Sequence, residues 1–314
     1  METIAYDKQY FSQILNLWNQ EMIADPFSEE RFLKNIVLDE NFSEELCRLY
    51  IEDSKVRGFI WAVKRKYPYG ERGLEPSRGW IVSLCVDRDF QRKGIGRQLV
   101  KDVENILRKD NVKQITLAAY SPNYLFPGVD INNYPNAQQF FENLDYLVGS
   151  PAVSMSQDLT KFQFSDFYID HRRKLQELGY VLSKFKLSDA EDLLQFLKTN
   201  FPGGWAKNVK ESILENRSEE TILILRNSNK EIVGYCQRAI DGNPGRFGPF
   251  GVKEDLRGLK LGMYLFNEMM FEMKKHQIYF TYFLWTSGSA QLFYEKNGMN
   301  SYREYILMSK KLGE

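Results

Sequence analysis

Residues 86–100 read VDRDFQRKGIGRQLV. They follow GWIVSLCV, residues 79–86, a continuous apolar run of the kind a strand buried on both faces needs. Beyond Gly94 the pattern changes: Leu99, Val100, Val103, Ile106 and Leu107 fall on one helical face. Between strand and helix lies a short polar loop. The first amides of a helix have no intrahelical acceptor, and the helix dipole favours an anion there. Gly94 and Gly96 carry no Cβ, so a ligand can approach the backbone closely. Arg92, Lys93 and Arg97 add positive charge. The stretch therefore predicts a phosphate or pyrophosphate site. It matches neither G-x-G-x-x-G nor the P-loop.

Working outward, the same alternation of elements fills the chain. Residues 9–20 space their apolar side chains as an amphipathic helix, and a second helix is expected over 28–38. LCRLYIED and VRGFIWAVKR form a hairpin before GWIVSLCV. KQITLAAY is a further buried strand, NAQQFFENL a short helix and AVSMSQDL a strand. The second half repeats this order with YVLSKFKL, a helix over 188–200, the hairpin ETILILRN/EIVGYCQRAI, RFGPFGV, a helix through Leu261–Met273, YFTYFLW, SAQLFYEKN and REYILMSKK. Val86, Gln91 and Gly96 recur at one constant offset as Val252, Arg257 and Gly262. Ala137 recurs as Ala290 at a shorter offset, so the first copy carries extra residues, in YSPNYLFPGVDINNYP. SDFYIDHRRKLQELG reads as a bridging helix, placing a boundary near residue 165.

Composition agrees with two globular domains. The 314 residues suffice for two domains of ~150 each. Hydrophobic residues make up 43% and charged residues 27%, which excludes a disordered chain. Lys plus Arg and Asp plus Glu are 42 each, against a nucleic-acid-coating protein, whose affinity comes from phosphate neutralisation. Cys47, Cys85 and Cys236 are scattered and odd in number, giving neither a disulfide framework nor a zinc pattern. His171 and His276 sit in charged, helix-like surroundings, so no metal site is expected. With no secretory pattern at the N-terminus and no membrane-length apolar run, a cytoplasmic setting is expected.

Gln91, Gly94 and Gly96 fit Q/R-x-x-G-x-G/A. That motif after a buried strand resembles the coenzyme A loop of the GCN5-related N-acetyltransferase superfamily. The resemblance covers essentially the whole chain as two copies. It implies an α/β (α+β) fold of two tandem domains, 1–164 and 165–314, each a mixed, mostly antiparallel sheet flanked by helices. It implies acetyl-CoA as cosubstrate, no metal, and a small primary amine as acceptor. Tandem members that acetylate amino sugars look broadly similar. Carried over, Leu84, Cys85 and Val86 bind the pantetheine arm through their backbone, and the amides of Arg92, Lys93, Gly94, Ile95, Gly96 and Arg97 receive the pyrophosphate. An amide near Val86 polarises the thioester carbonyl, an oxyanion-hole role. In the second copy, Val252, Arg257, Gly258 and Gly262 stand at matching positions, but Lys260 replaces Gly94.

The family often places a tyrosine in A-x-x-x-Y-E-K-x-G to protonate the departing thiolate. Here the second copy has AQLFYEKNGM, giving Tyr294, whereas the first has AQQFFENLDY, giving Phe141. The better loop and the better acid thus fall in different copies. Tyr120, Tyr124 and Tyr134 are the nearest alternatives in the first copy, with Tyr134 carried forward beside Tyr294. Glu52, Asp53, Glu75, Asp130 and Asp241 are candidate bases, none selected by spacing. The loops 120–135 and 200–208 are candidate acceptor-binding elements. An acyl-CoA sensor without catalysis, and an aminoacyl transferase of paired domains, are the competing functions. The intact first loop and the neutral charge weigh against the latter.

Overall fold

The computed structural model describes residues 2–201 and 203–313. Along the chain run β1 (Thr3–Ala5), α1 (Phe11–Glu21), α2 (Glu29–Phe32), β2 (Cys47–Glu52), β3 (Lys55–Val63), β4 (Arg78–Val86), α3 (Ile95–Lys109), β5 (Gln114–Leu117), β6 (Val129–Asp130), α4 (Pro135–Glu142) and β7 (Leu147–Asp158). Then follow α5 (Asp166–Glu177), β8 (Val181–Lys184), α6 (Ala190–Asn200), α7 (Trp205–Leu214), α8 (Ser218–Thr221), β9 (Ile222–Arg226), β10 (Ile232–Arg238), β11 (Phe247–Val252), α9 (Leu261–Lys275), β12 (Phe280–Thr286), α10 (Gly288–Lys296) and β13 (Asn300–Lys311). The mixed α/β order expected from the periodicities is thus present.

Contacts divide the chain into two compact units. The first holds residues 1–69, 73–153 and 303–314; the second holds 70–72 and 154–302. This differs from a single boundary after residue 164. Two long strands, β7 and β13, cross the division. The cause is strand pairing: the C-terminal part of β13 is antiparallel to β5, Ser309 opposite Thr116 and Lys311 opposite Gln114. No local pattern in the sequence announces a partner so far away.

In the first unit the strand order is β1-β2-β3-β4-β5-β13, with β6 on β13. All these pairs are antiparallel except β4 with β5. Side chains alternate across β3: Phe59 and Trp61 enter one core with Trp18, Phe32 and Trp80, while Ile60 and Ala62 enter another with Leu99, Val103 and Leu107 of α3. Burial of each such large side chain stabilises by about 1.5–3 kcal/mol. Arg108 and Lys109 close α3 with charge complementary to its dipole.

In the second unit β11-β10-β9-β8 form an antiparallel sheet. β12 meets the start of β11 by one parallel bridge, Arg246 with Tyr282. α5 packs Tyr168 and Leu175 against Leu261 and Tyr264 of α9.

Candidate active site

The site begins where β4 and β5 part. Their parallel pairing runs from Arg78 opposite Gln114 to Ile81 opposite Leu117, and ends with Ala118 N donating to the Ile81 carbonyl at 2.7 Å. Ala118 and Ala119 then take left-handed φ of 54° and 53°, turning the chain away. β4 continues along β3 as far as Val86 opposite Gly58. Residues 82–86 therefore present one backbone edge to a cleft instead of to a strand. The register also slips between Trp61 and Ala62, leaving Val82 as an extra, bulged residue at the mouth of the split. The cleft is lined by this edge, Leu117, Phe126, Phe141, Tyr134 and Arg303, among others.

The strand leads into the loop that precedes α3. Arg57 pairs with Asp87 at 2.6 Å and lies 4.3 Å over the Phe90 ring, whose other contact is Lys93 Nζ at 4.4 Å. Gln91 Nε2 donates to the Val86 carbonyl at 3.0 Å, fastening the loop to the strand end. Gly94 has φ +87° and precedes α3 without a side-chain cap. The first helical bond runs from Gln98 N to the Gly94 carbonyl at 3.0 Å, so the amides of Ile95, Gly96 and Arg97 stand ahead of the ladder. Gln91, Arg92, Lys93, Gly94 and Arg97 are exposed, Gly96 half-buried and Ile95 buried. A Cβ on Gly96 would lie 3.2 Å from Phe140 Cζ, so glycine here permits α4 to pack on the start of α3. Leu84 and Val86 point toward α3 and Phe140, whereas Cys85 points into the opposite core. Burial pushes the Cys85 thiol well up, keeping it neutral. Any part of Cys85 in binding is therefore its backbone's. An unpaired strand edge that opens onto exposed amides and cations fits a long pantetheine arm ending in phosphates.

Opposite this edge lies a charged network that spans the chain. Arg303 forks onto Asp25, Nη1 to Oδ1 at 2.6 Å and Nη2 to Oδ2 at 2.8 Å, and its Nε donates to Asp130 Oδ2 at 2.7 Å. Tyr134 OH donates to Asp25 Oδ2 at 3.0 Å. Asp25 is held in place after α1 by Trp18 Nε1, which donates to its carbonyl at 2.7 Å. Asp130 sits in β6 opposite Tyr305 of β13, and its Oδ1 accepts from the amides of Asn132 and Asn133 at 3.0 and 2.9 Å. Burial alone would lower the Arg303 pKa. The bonds and charge of Asp25, with Asp130, outweigh it and hold the guanidinium cationic. Burial, followed by the Asp25 charge and hydrogen bond, pushes the Tyr134 phenol up, so it remains a proton donor. Glu21, the last residue of α1, also lines the cleft; Arg88 reaches its Oε1 through N at 3.2 Å and Nε at 3.3 Å.

Of the sequence candidates, the structure brings together Leu84, Cys85, Val86, Gln91 and Tyr134 around one cleft, with Asp130 beside them. Tyr120 is fully buried, accepting from Asn41 Nδ2 at 2.8 Å and donating to Asp39 Oδ1 at 3.1 Å, a packing and anchoring role. Glu75 is taken up by Arg65 and Arg78. Glu21, Asp25 and Arg303 were not singled out from the sequence. Their only local signal is a charge at a helix end, in a loop or near the start of a strand.

The second copy is arranged otherwise. Lys260 takes φ +55°, the left-handed conformation that Gly94 takes in the first copy, and a Cβ on Gly262 would lie 3.5 Å from the Phe293 ring, as one on Gly96 would lie 3.2 Å from Phe140. The backbone of Val252, Arg257, Gly258 and Gly262 thus follows the repeat. Over this loop, however, lies α5: His171 Nε2 is 3.2 Å from the Leu259 carbonyl oxygen, and Lys260 Nζ is 4.7 Å over the Phe167 ring. Arg257 pairs with Glu254 at 2.9 Å. Tyr294 packs among Phe247, Phe250, Phe266, Phe283 and Phe293, with Phe283 nearest at 4.6 Å between centroids. Burial pushes its phenol up. Phe201 stacks on Trp205 at 4.6 Å and both pack on Gly251, so these two rings of the loop 200–208 cover β11; Pro202 of that loop lies outside the described residues. Among the described residues no group of three or more His, Cys, Asp or Glu is placed to hold a metal ion, and no helix is long and apolar enough to cross a membrane.

The acetyltransferase (GNAT) family model matches residues 11–124, which include the first loop. No match is found among the curated protein sequences. Among solved structures, the chain is similar to a GCN5-related glucosamine N-acetyltransferase region of a fungal multi-domain GH3 β-N-acetylglucosaminidase, at 17% identity and a TM-score of 0.80. The match covers 98% of this chain and 38% of that one. It is also similar to a GCN5-related N-acetyltransferase from Sphaerobacter thermophilus, at 16% identity, TM-score 0.73 and coverage of 99% and 95%. A tandem GNAT protein from the clavulanic acid biosynthesis pathway matches at 13% identity, TM-score 0.64 and coverage of 100% and 99%. In fold the chain is similar to GCN5-related N-acetyltransferases, a tandem one among them, and the acetyltransferase (GNAT) family model matches its residues 11–124.

Proposed function

We propose that the first unit transfers an acetyl group from acetyl-CoA to a small primary amine by direct attack within a ternary complex. The observation that carries this reading is the unpaired edge of residues 82–86 running straight into the free amides of Ile95, Gly96 and Arg97. Arg92, Lys93 and Arg97 complement the coenzyme phosphates. The bulge at Val82 supplies backbone polarity beside the thioester. Glu21 takes the proton from the attacking amine as the C–N bond forms. The C–S bond breaks, and Tyr134 returns a proton to the thiolate, in place of the tyrosine that Phe141 displaces. Tyr294 packs the second unit in this reading. The amino-sugar activity named for the fungal neighbour supports glucosamine as the first acceptor to try. Three buried, unbridged cysteines fit a cytoplasmic setting.

Thiol release from acetyl-CoA, followed with a panel of amines, tests the reaction. Tyr134→Phe keeps the ring but removes the hydroxyl bonded to Asp25. It is expected to lower kcat about 100-fold, the lower end of the range of one positioned acid. Coenzyme affinity stays unchanged and stability falls by about 1 kcal/mol. An unaltered kcat removes Tyr134 from the proton path.

A further inference from the structure

The cleft and the loop beyond it carry opposite charge. At the loop, Arg92, Lys93 and Arg97 are exposed cations. Across from the strand edge the balance is reversed. Asp25 and Asp130, 9% and 4% exposed, share the single guanidinium of Arg303. Glu21, with a side chain 12% exposed, lines the same space, and its partner Arg88 lies out at the rim with 69% exposed. Glu21 and Asp130 thus line the cleft with one buried cation, Arg303, which Asp25 also holds. Arg303 has all three nitrogens bonded to carboxylates, which take four of its five N–H donors and offset its charge. In a site shielded from water, like charges placed together are strongly disfavoured and an ammonium is favoured.

Resting on the acetyltransferase reading above, we propose that the acceptor is a cationic amine bearing no phosphate or carboxylate group, and that Glu21 is the principal determinant of this selection. Arg303 acts as a positioning residue: its fork holds the Asp25 and Asp130 carboxylates side by side and so keeps the wall in place. Amino sugars and simple alkyl or aryl amines fit this wall, whereas amino acids and amino-sugar phosphates do not.

The test uses pairs of amines that differ only by an acid group: glucosamine with glucosamine 6-phosphate, and tyramine with tyrosine. kcat/KM for each is measured by thiol release from acetyl-CoA on the full chain. In every pair that reacts, the acid-free member is expected to be preferred by about 100-fold or more. Glu21→Gln is expected to shrink that ratio by about tenfold, whatever it does to the absolute rate. Coenzyme affinity measured on the same variant reports that it is folded. Equal or better use of the acid-bearing member overturns the selection while leaving the reaction standing. A ratio unchanged in Glu21→Gln overturns the assignment to Glu21. No thiol release with any amine overturns the transferase reading itself, and the selection with it.

Discussion

Arg303→Met is expected to reduce kcat/KM for the amine by about 100-fold or more and to destabilise the protein by about 3 kcal/mol. The substitution keeps most of the side-chain volume and removes the charge. Asp25 and Asp130, with side chains 10% and 3% exposed, would then face each other unpaired. Removing one partner of a buried ion pair is costly because the other charge stays behind. The geometry of Tyr134 depends on Asp25, so the loss spreads to the phenol in the cleft. Coenzyme affinity is expected to change little, because the loop and the strand edge make no bond to this network. Denaturant unfolding measures the stability term, and steady-state kinetics with each substrate varied separates the two affinities. Equal losses toward amine and coenzyme would mean that Arg303 merely holds the fold.

Gly96→Leu is expected to weaken coenzyme binding by about 100-fold or more, the loss of two charge-assisted amide contacts. The space at Gly96 is already taken: Phe140 Cζ and Cε2 would lie 3.2 and 3.4 Å from a Cβ, and Val86 Cγ2 3.7 Å. A larger side chain must displace α4 or swing across the amides. Overpacking of this kind costs about 1–3 kcal/mol in stability as well. Calorimetric titration with coenzyme A reads the binding term, and Gly96→Ala combined with Phe140→Ala should recover part of it. Gly94 makes a useful contrast, since a Cβ there meets nothing within 4 Å and only its φ of +87° resists substitution.

The loop between β4 and α3 was legible in the sequence because everything in it is local. A buried strand, a polar turn and an amphipathic helix occupy residues 79–109, and their periodicities change where the structure changes. The hairpins and the repeat were legible for the same reason. The network across the cleft was not. Asp25 follows a helix, Asp130 was one carboxylate among several, and Arg303 reads as an ordinary charge at the start of a strand. Only the pairing of β13 with β5 and β6 assembles them, and strand partners that distant leave no periodic trace. The same pairing explains why the compact units do not divide at residue 164. The mismatch between Phe141 and Tyr294 was visible in the sequence; what each ring packs against was not.

In the proposed reaction the first unit holds the coenzyme and the second does not, since α5 lies over the second loop through Phe167 and His171. Native mass spectrometry with acetyl-CoA counts bound equivalents directly, on the wild type and on Gly96→Leu. One equivalent on the wild type and none on the variant is the predicted result. Two equivalents, or one that survives in Gly96→Leu, would place coenzyme on the second loop and return Tyr294 to the chemistry. No binding to either protein would contradict the acetyltransferase account altogether.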